Sequence, residues 1–137
     1  MKICLFILLP VFIFCFALSA KAAEPDDAVQ VAQKWITLVD AGKLSESWDG
    51  AATLFKTVIS KEAWEEGADK ARSPFGVAIS RSVSSTETAT TLPGAPDGEY
   101  VIVRFKTRFA GKQEAEELVT LLKETDGGWQ VTGYYIR

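Results

Sequence analysis

The sequence predicts an α+β domain, with three N-terminal helices packed on one face of a curved antiparallel sheet of four to five strands. Up to about residue 72, apolar residues recur at the three- and four-residue spacing of helices. From residue 77 onward, the period changes to the two-residue alternation of strands. Helices that precede a run of antiparallel strands are typical of an α+β fold, in which the helices cover one face of the sheet.

The first 22 residues are typical of a signal peptide. Lys2 supplies the positive charge, residues 3–18 form an apolar run, and Ala20-Lys21-Ala22 offers the small residues that a signal peptidase recognises. The apolar run has 16 residues, whereas about 20 are needed to span a bilayer. We therefore expect cleavage after Ala22, a periplasmic or secreted protein, and a single domain at residues 23–137. Cleavage after Ala20 or Ala23 and an uncleaved membrane anchor are the alternatives.

Several kinds of chemistry are missing from the expected mature chain. The sequence has no His, and both Cys4 and Cys15 lie in the leader. This removes the usual acid/base at neutral pH, the thiolate nucleophile and the best ligands for transition metals. Without Lys2 and Lys21, 13 basic and 18 acidic side chains leave a net charge of −5, which gives no general attraction to nucleic acid or anionic lipid. We expect no cofactor, no metal, no nucleic-acid partner and no membrane attachment after cleavage.

Three helices are predicted in the first half of the chain. The first begins near Asp26 and ends before Gly42, a residue suited to the left-handed position after a helix. The second begins near Ser45, and Ser60 caps the third. Their apolar faces are formed by Ala28, Val31, Ala32, Trp35 and Val39, then Leu44, Trp48, Ala51, Ala52, Phe55 and Val58, and finally Trp64, Ala68 and Ala71.

The strands are predicted at residues 77–83, 87–92, 100–109, 114–124 and 129–136. If residues 110–113 form the loop after the central strand, a definite register with the next strand follows. Phe109 then pairs with Glu114, Phe105 with Leu118, Val101 with Leu122, and Lys106 with Glu117. This register places the apolar pairs on the core face, and Val119, Leu121 and the Lys106–Glu117 ion pair on the outer face.

The outer face of the central strand is the main candidate for function. Tyr100, Ile102, Arg104, Lys106 and Arg108 alternate with the core-facing residues of this strand. Aromatic, aliphatic and arginine side chains together are typical of protein interfaces, although a row of cations is also common on a solvated surface. We predict that Tyr100, Ile102, Arg104 and Arg108 bind a protein of the cell envelope or a second copy in a homodimer.

A small-ligand pocket between helices and sheet is the second prediction. Some of the four tryptophans, Trp35, Trp48, Trp64 and Trp129, would line its mouth, and Arg81 or Arg104 would offer a cation to an acidic or aromatic ligand. The alternative is that the tryptophans simply belong to the core.

Two further sites are weighed and set aside. A carboxylate of raised pKa beside a tyrosine can enolise a ketone without His, and Asp40 or Asp49 with Tyr134 or Tyr135 would supply the groups. We expect surface and packing roles for these residues and no enzyme, and we retain Tyr134 with Arg81 as candidates for ligand or partner binding.

The second set-aside site is the carboxylate cluster of Glu114, Glu116 and Glu117. These residues alternate along a strand, so the pattern divides them between the two faces of the sheet. Calcium needs six or more converging oxygens, and this cluster does not predict a calcium site.

A family resemblance rests on several local motifs. They are Trp35, Leu38-Val39-Asp40-Ala41-Gly42, Ser47-Trp48-Asp49, Arg72-Ser73-Pro74-Phe75-Gly76, Ser80-Arg81, Leu92-Pro93-Gly94-Ala95-Pro96-Asp97-Gly98-Glu99-Tyr100 and Gly133-Tyr134-Tyr135-Ile136-Arg137. Together they resemble the domain of unknown function 4019 family of small exported bacterial proteins, and the string at residues 92–100 is the most specific of them. The resemblance implies no activity, cofactor or catalytic residue. The order of helices and strands is also similar to the nuclear-transport-factor-2-like superfamily, which hosts isomerases, ligand binders and dimerisation modules, so this fold implies no single function.

Overall fold

The computed structural model describes residues 24–137, and the predicted signal peptide lies outside the described residues. The helices are α1 Glu24–Asp40, α2 Leu44–Asp49, α3 Thr53–Val58 and α4 Lys61–Arg72, followed by a 3-10 turn at Ser73–Phe75. The strands are β1 Ala78–Ala89, β2 Tyr100–Phe109, β3 Lys112–Lys123 and β4 Trp129–Ile136. They form one antiparallel sheet in the order β1-β2-β3-β4. The predicted α+β class, with helices before the sheet, is confirmed.

The second predicted helix is in fact two short helices. The chain leaves the helical path after α2 because Ala52 N donates a hydrogen bond to Val131 O in β4, at 2.7 Å. Ala51 and Ala52 are both buried there, and a larger side chain would hold this segment away from the sheet. The predicted cap of the last helix is confirmed, since Ser60 Oγ accepts a hydrogen bond from Ala63 N.

The first two predicted strands are one continuous strand, β1. Its pairing with β2 shifts by one residue between Val83 and Ser85. A bulge of this kind inserts one extra residue and interrupts the alternation of the side chains. The sequence therefore looks like two strands where the structure has one.

The predicted register between β2 and β3 is wrong by one residue. Phe109 pairs with Lys112 and Phe105 pairs with Glu117, so the loop has two residues instead of four. The turn is tight because Gly111 passes under the 3-10 turn: its N donates to Phe75 O, and a Cβ on Gly111 would lie 2.8 Å from Pro74 O.

The shift of one residue exchanges the two faces of β3. Glu117, Val119 and Leu121 face the helices and are fully buried. Leu118 and Leu122 take their place on the outer face and are half-buried. The predicted outer positions of Val119 and Leu121, and the predicted Lys106–Glu117 pair, are therefore wrong.

The core lies between the helices and the inner face of the sheet. Trp35 and Trp64 pack against each other with ring centroids 5.6 Å apart, and the ring of Tyr134 lies 5.7 Å from that of Trp35. Both indole nitrogens are satisfied by Ser47, since Trp35 Nε1 donates to its carbonyl and Trp64 Nε1 donates to its hydroxyl. These tryptophans are core residues that also join α2 to α1 and α4.

Candidate functional site

The structure divides the six predicted site residues between the two faces of the sheet. Arg81 and Tyr134 point inward, toward the helices, and take part in a buried charge cluster. Ile102, Arg104 and Arg108 lie on the outer face. Tyr100 is buried, although it belongs to the outer side, and is therefore not a free contact residue.

Glu117 is the centre of the inner cluster and is 0% exposed. Arg81 Nε donates to its Oε1 at 2.9 Å, and the Thr107 hydroxyl donates to the same oxygen at 2.5 Å. Tyr134 OH donates to Oε2 at 2.5 Å, and Arg72 Nη1 lies 3.5 Å from that oxygen. A carboxylate can be buried in this way only because its charge is paired and its lone pairs are filled.

Asp40 completes the cluster from the end of α1. Arg72 Nη2 lies 2.6 Å from its Oδ1, and Arg81 donates to both of its oxygens, at 2.7 and 2.9 Å. The side chain of Asp40 is 24% exposed, whereas those of Arg72 and Arg81 are 12% and 14% exposed. We call the six residues Asp40, Arg72, Arg81, Thr107, Glu117 and Tyr134 the Glu117 cluster.

Every member of the Glu117 cluster comes from a different element. Asp40 ends α1 and Arg72 ends α4, while β1, β2, β3 and β4 each supply one residue. Two guanidinium groups balance two carboxylates, so the cluster carries no net charge. Its arrangement closes the junction between the helices and the sheet.

The protonation states of the cluster follow from its geometry. Burial alone would raise the pKa of Asp40, but hydrogen bonds from Arg81 and Arg72 outweigh burial and hold the pKa below its ordinary value. Burial, together with the neighbouring Glu117 carboxylate, raises the pKa of Tyr134 well above its ordinary value. Asp40 is thus an anion and Tyr134 a fixed hydrogen-bond donor, which is the reverse of a carboxylate poised as a base.

One polar atom in the cluster has no hydrogen-bond partner within residues 24–137, namely the buried Nε of Arg72. The guanidinium of this residue lies over the ring of Phe109, with Cζ 4.9 Å from the centroid. The attraction between a cation and a ring face partly offsets the missing hydrogen bond.

The outer face of the sheet has a different character. We define the outer face by Glu87 of β1, Ile102, Arg104, Lys106 and Arg108 of β2, Glu116, Leu118, Thr120 and Leu122 of β3, and Gly133, Tyr135 and Arg137 at β4 and the end of the chain. The helices pack on the opposite face. In the described part of the chain, this face is therefore left to solvent.

A row of charges of alternating sign crosses the outer face. Arg104 lies 3.7 Å from Glu87 and 3.2 Å from Glu116, and Arg137 lies 2.9 Å from Glu116. Each of the four strands, or the residue that follows it, contributes one charge. The row joins the strands but remains open to solvent, with side chains 32% to 63% exposed.

Apolar side chains run diagonally across the same face. The pairing of the strands places Leu122 beside Tyr100, Ile102 beside Thr120, and Leu118 beside Tyr135. Tyr135 is 57% exposed. Tyr100 is covered because residues 92–98 fold over it, and its hydroxyl donates to Pro96 O at 2.5 Å; its prediction as a contact residue is corrected for this reason.

Two open clefts lie at opposite ends of the sheet. A groove of about 660 Å³ on the outer face is lined by Ser80, Ser82, Lys106, Thr107, Arg108, Lys112, Gln113, Glu114, Ala115, Glu116 and Arg137. A cleft of about 590 Å³ near the start of α1 is lined by Pro25, Thr88, Ala89, Thr90, Glu99, Tyr100, Val101 and Trp129. Both arginines predicted to bind a ligand already pair with carboxylates of the same chain. Arg81 pairs with Glu117 and Asp40, and Arg104 pairs with Glu87 and Glu116.

The sequence reasoning did not identify Glu117, Arg72 or Thr107 as members of one site. A signal was present for Thr107, which is the single polar residue on the core-facing side of β2. A polar residue in that position requires a buried polar partner. The partner lies on β3, whose register the sequence alone did not determine.

A family model and two solved structures are similar to this chain. The model of the family described as a protein of unknown function (DUF4019) matches residues 31–134. A solved structure from Catenulispora acidiphila is similar with a TM-score of 0.54 and 12% identity, covering 85% of this chain and 91% of that one. The structure of Aln2 from a Streptomyces species has a TM-score of 0.49 and 15% identity, covering 82% and 88%. None of the curated proteins matches in sequence.

At this level of identity, the likeness to the Catenulispora structure concerns the fold alone.

Among residues 24–137, no helix is both long and apolar enough to cross a membrane.

Proposed function

The chain belongs to the DUF4019 family of proteins of unknown function, and we propose that it is a non-enzymatic exported domain that binds a second copy of itself through the outer face of its sheet. The observation that carries the proposal is the uncovered outer face. Ile102, Leu118 and Tyr135 form an apolar diagonal there, framed by the charge row. Apolar side chains inside a charged frame are typical of a protein interface.

The extent of the face fits this role. Strands of eight to twelve residues, spaced about 4.8 Å apart with about 3.3 Å per residue, span roughly 600 Å². Each partner of a standard interface contributes about 800 Å² of accessible surface. The pleated face and its long side chains expose more than the flat area, so one face is large enough for a specific contact.

The distribution of charge favours a second copy over an unrelated partner. One end of the outer face carries the exposed cations Lys106, Arg108 and Lys112, and the loop at the other end carries the exposed carboxylate of Asp97. A face with opposite charges at its two ends is complementary to itself when the second copy is reversed. The apolar diagonal supplies the affinity, and the charges select the orientation.

An enzymatic role is not favoured. The groups considered for proton transfer, Asp40 and Tyr134, are engaged by two arginines and by Glu117, respectively. A base needs a free lone pair and a pKa near the working pH, and the lowered pKa of Asp40 moves it away from that condition.

The proposal is tested with two variants that each place a carboxylate on an exposed or half-exposed apolar residue. Ile102→Asp lies in the outer face, and we expect it to weaken the dimer by about 2–4 kcal/mol while leaving the domain folded. Val58→Asp, on α3, is the matched control, because Val58 is 71% exposed on the helical side. Light scattering gives the mass and circular dichroism the fold; equal masses for wild type and both variants would overturn the proposal.

A small-ligand binder is the second candidate, and the cleft beside Trp129 is the observation that favours it. Its volume of about 590 Å³ lies within the range of ligand pockets, and Val101 and Trp129 give it an apolar wall. Ala89→Trp would fill this cleft. A small apolar compound that raises the melting temperature of the wild type but not of this variant would support the second candidate.

A further inference from the structure

The connection between β1 and β2 rises over one end of the outer face. Residues 92–98, which we call the 92–98 loop, cover Tyr100, whose hydroxyl donates to Pro96 O. Gly98 lies so close to Leu122 that a Cβ there would come within 3.1 Å of its Cδ1. Tyr100 and Leu122 both belong to the outer side of the sheet. The loop is therefore a raised feature on the outer side.

The 92–98 loop is rigid as well as raised. Pro93 and Pro96 fix two of its backbone angles, and Gly94 adopts a positive φ of 74°. Ala95 N donates to Leu92 O at 3.2 Å, while Gly98 N donates to Thr90 O at 3.0 Å. Both prolines and Asp97 are exposed. An exposed loop that is already ordered loses little conformational entropy when it binds.

The opposite end of the outer face is concave and cationic. The groove of about 660 Å³ there is lined by Lys106, Arg108 and Lys112, with Glu114 as an exposed carboxylate. Glu116 and Arg137, which also line it, are paired with each other. Lys106 and Arg108 make no ion pair within residues 24–137. The groove thus has unpaired positive charge and room for a chain segment.

Building on the proposed function, we infer that the 92–98 loop of each copy docks into the cationic groove of the second copy, with Asp97 facing Arg108. A two-fold axis that crosses the strands at Val103 reverses their direction. Rotation about this axis places residue 98 of one copy at the same height along the strands as residue 108 of the other copy, since both lie five residues from position 103. The raised, acidic end of each copy then meets the concave, cationic end of the other.

The same axis also brings a glycine of one copy beneath an exposed ring of the other. Val103, Val119 and Tyr134 are aligned across three strands, so the axis crosses β4 at Tyr134. Rotation about it places Tyr135 of one copy opposite Gly133 of the other. Gly133 has no positive φ, and a Cβ there would make only an ordinary contact of 3.5 Å with Thr120. In the stacked pair, the exposed ring of Tyr135 lies over Gly133 of the second copy, where a side chain would obstruct it.

The experiment is a charge exchange between the loop and the groove. In the chain of residues 23–137, Asp97→Arg and Arg108→Asp should each raise the dissociation constant of the dimer about tenfold, because each sets like charges against each other. The double variant should restore an affinity close to that of the wild type. Asp69→Arg, on the exposed side of α4, is the control and should leave the constant unchanged. Sedimentation equilibrium gives the constants, and thermal melts verify that each variant is folded.

The outcomes separate this inference from the proposal on which it rests. A wild type that stays monomeric overturns the proposed self-association itself. A wild-type dimer that neither charge reversal changes, or that the double variant fails to restore, keeps the proposed self-association and overturns the docking of the loop. Weakening by both single variants with recovery in the double variant supports the inference.

Discussion

The two faces of the sheet carry similar ion networks with opposite consequences. On the inner face, Glu117 is surrounded by Arg72, Arg81, Thr107 and Tyr134 and has no exposed surface. On the outer face, Glu116 is the next residue along the same strand, and it pairs with two arginines in an open row. Carboxylates one residue apart therefore belong to a buried structural junction on one face and to an open, solvated charge row on the other.

Burial accounts for the difference. A buried ion pair costs desolvation energy for both partners, so removal of one partner leaves an uncompensated charge and is strongly destabilising. An exposed pair gains little, since water already solvates both groups. The inner network therefore specifies how helices and sheet fit together, while the outer network contributes little to the stability of the fold.

The largest difference between the faces is expected from a charge placed at adjacent positions of β2. Val103 is 0% exposed, so Val103→Asp buries an unpaired carboxylate and should unfold the domain, whose whole stability is on the order of 5–15 kcal/mol. Ile102→Asp should retain the native circular dichroism spectrum. If both variants lose the spectrum, the assignment of Ile102 to a solvent-facing surface is wrong.

The next comparison removes one carboxylate from each network. Glu117→Ala leaves Arg72 and Arg81 with Asp40 alone and should lower the free energy of unfolding by about 3–5 kcal/mol. Glu116→Ala should lower it by less than about 1 kcal/mol. Urea unfolding of both variants gives the two values. Similar losses would mean that the Glu117 cluster does not stabilise the fold as a buried network should.

A smaller difference is expected from the two neighbouring tyrosines of β4. Tyr134→Phe removes the hydroxyl that donates to Glu117 and accepts from Arg72, which should cost about 1–3 kcal/mol because a buried carboxylate oxygen loses its donor. Tyr135→Phe changes an exposed ring and should alter stability by less than about 0.5 kcal/mol. Thermal melts of the two variants side by side provide the test.

The smallest effect concerns pH. Because Asp40 has a lowered pKa in the folded state, it contributes stability above its ordinary value of 3.8, and this contribution is lost as the pH falls through the lowered pKa. The wild type should therefore exceed Asp40→Asn in unfolding free energy near neutral pH, and the gap should narrow below pH 3.8. A gap that is constant from neutral to acid pH would show that the ionisation of Asp40 is not linked to folding.

Much of the fold could be predicted from the sequence because local signals agreed with one another. Ser60 before α4, Gly42 after α1, and the alternation along β2 each have one physical interpretation. The register of β3, by contrast, had two possible interpretations. Leu118 and Leu122 give one face of the strand an apolar character, and Val119 and Leu121 give the same character to the other face. Composition therefore did not indicate which face packs against the core.

The Glu117 cluster could not be predicted for a related reason. Its members lie on six different elements, between Asp40 and Tyr134 in the chain, and no spacing in the sequence connects them. The register that brings Glu117 to the inner face begins at the tight turn of Gly111, where Gly111 N donates to Phe75 O and Pro74 O leaves no room for a Cβ. The outer cations Arg104 and Arg108, by contrast, followed directly from the alternation of β2, since no partner was needed to place them.

The central claim is that the outer face joins two copies of this domain. Sedimentation equilibrium of the wild-type chain of residues 23–137, from low to high micromolar concentration, tests it most directly. We expect the apparent mass to rise with concentration to that of two chains and no further, because a two-fold contact closes on itself. The mass of a single chain throughout the range would contradict the claim.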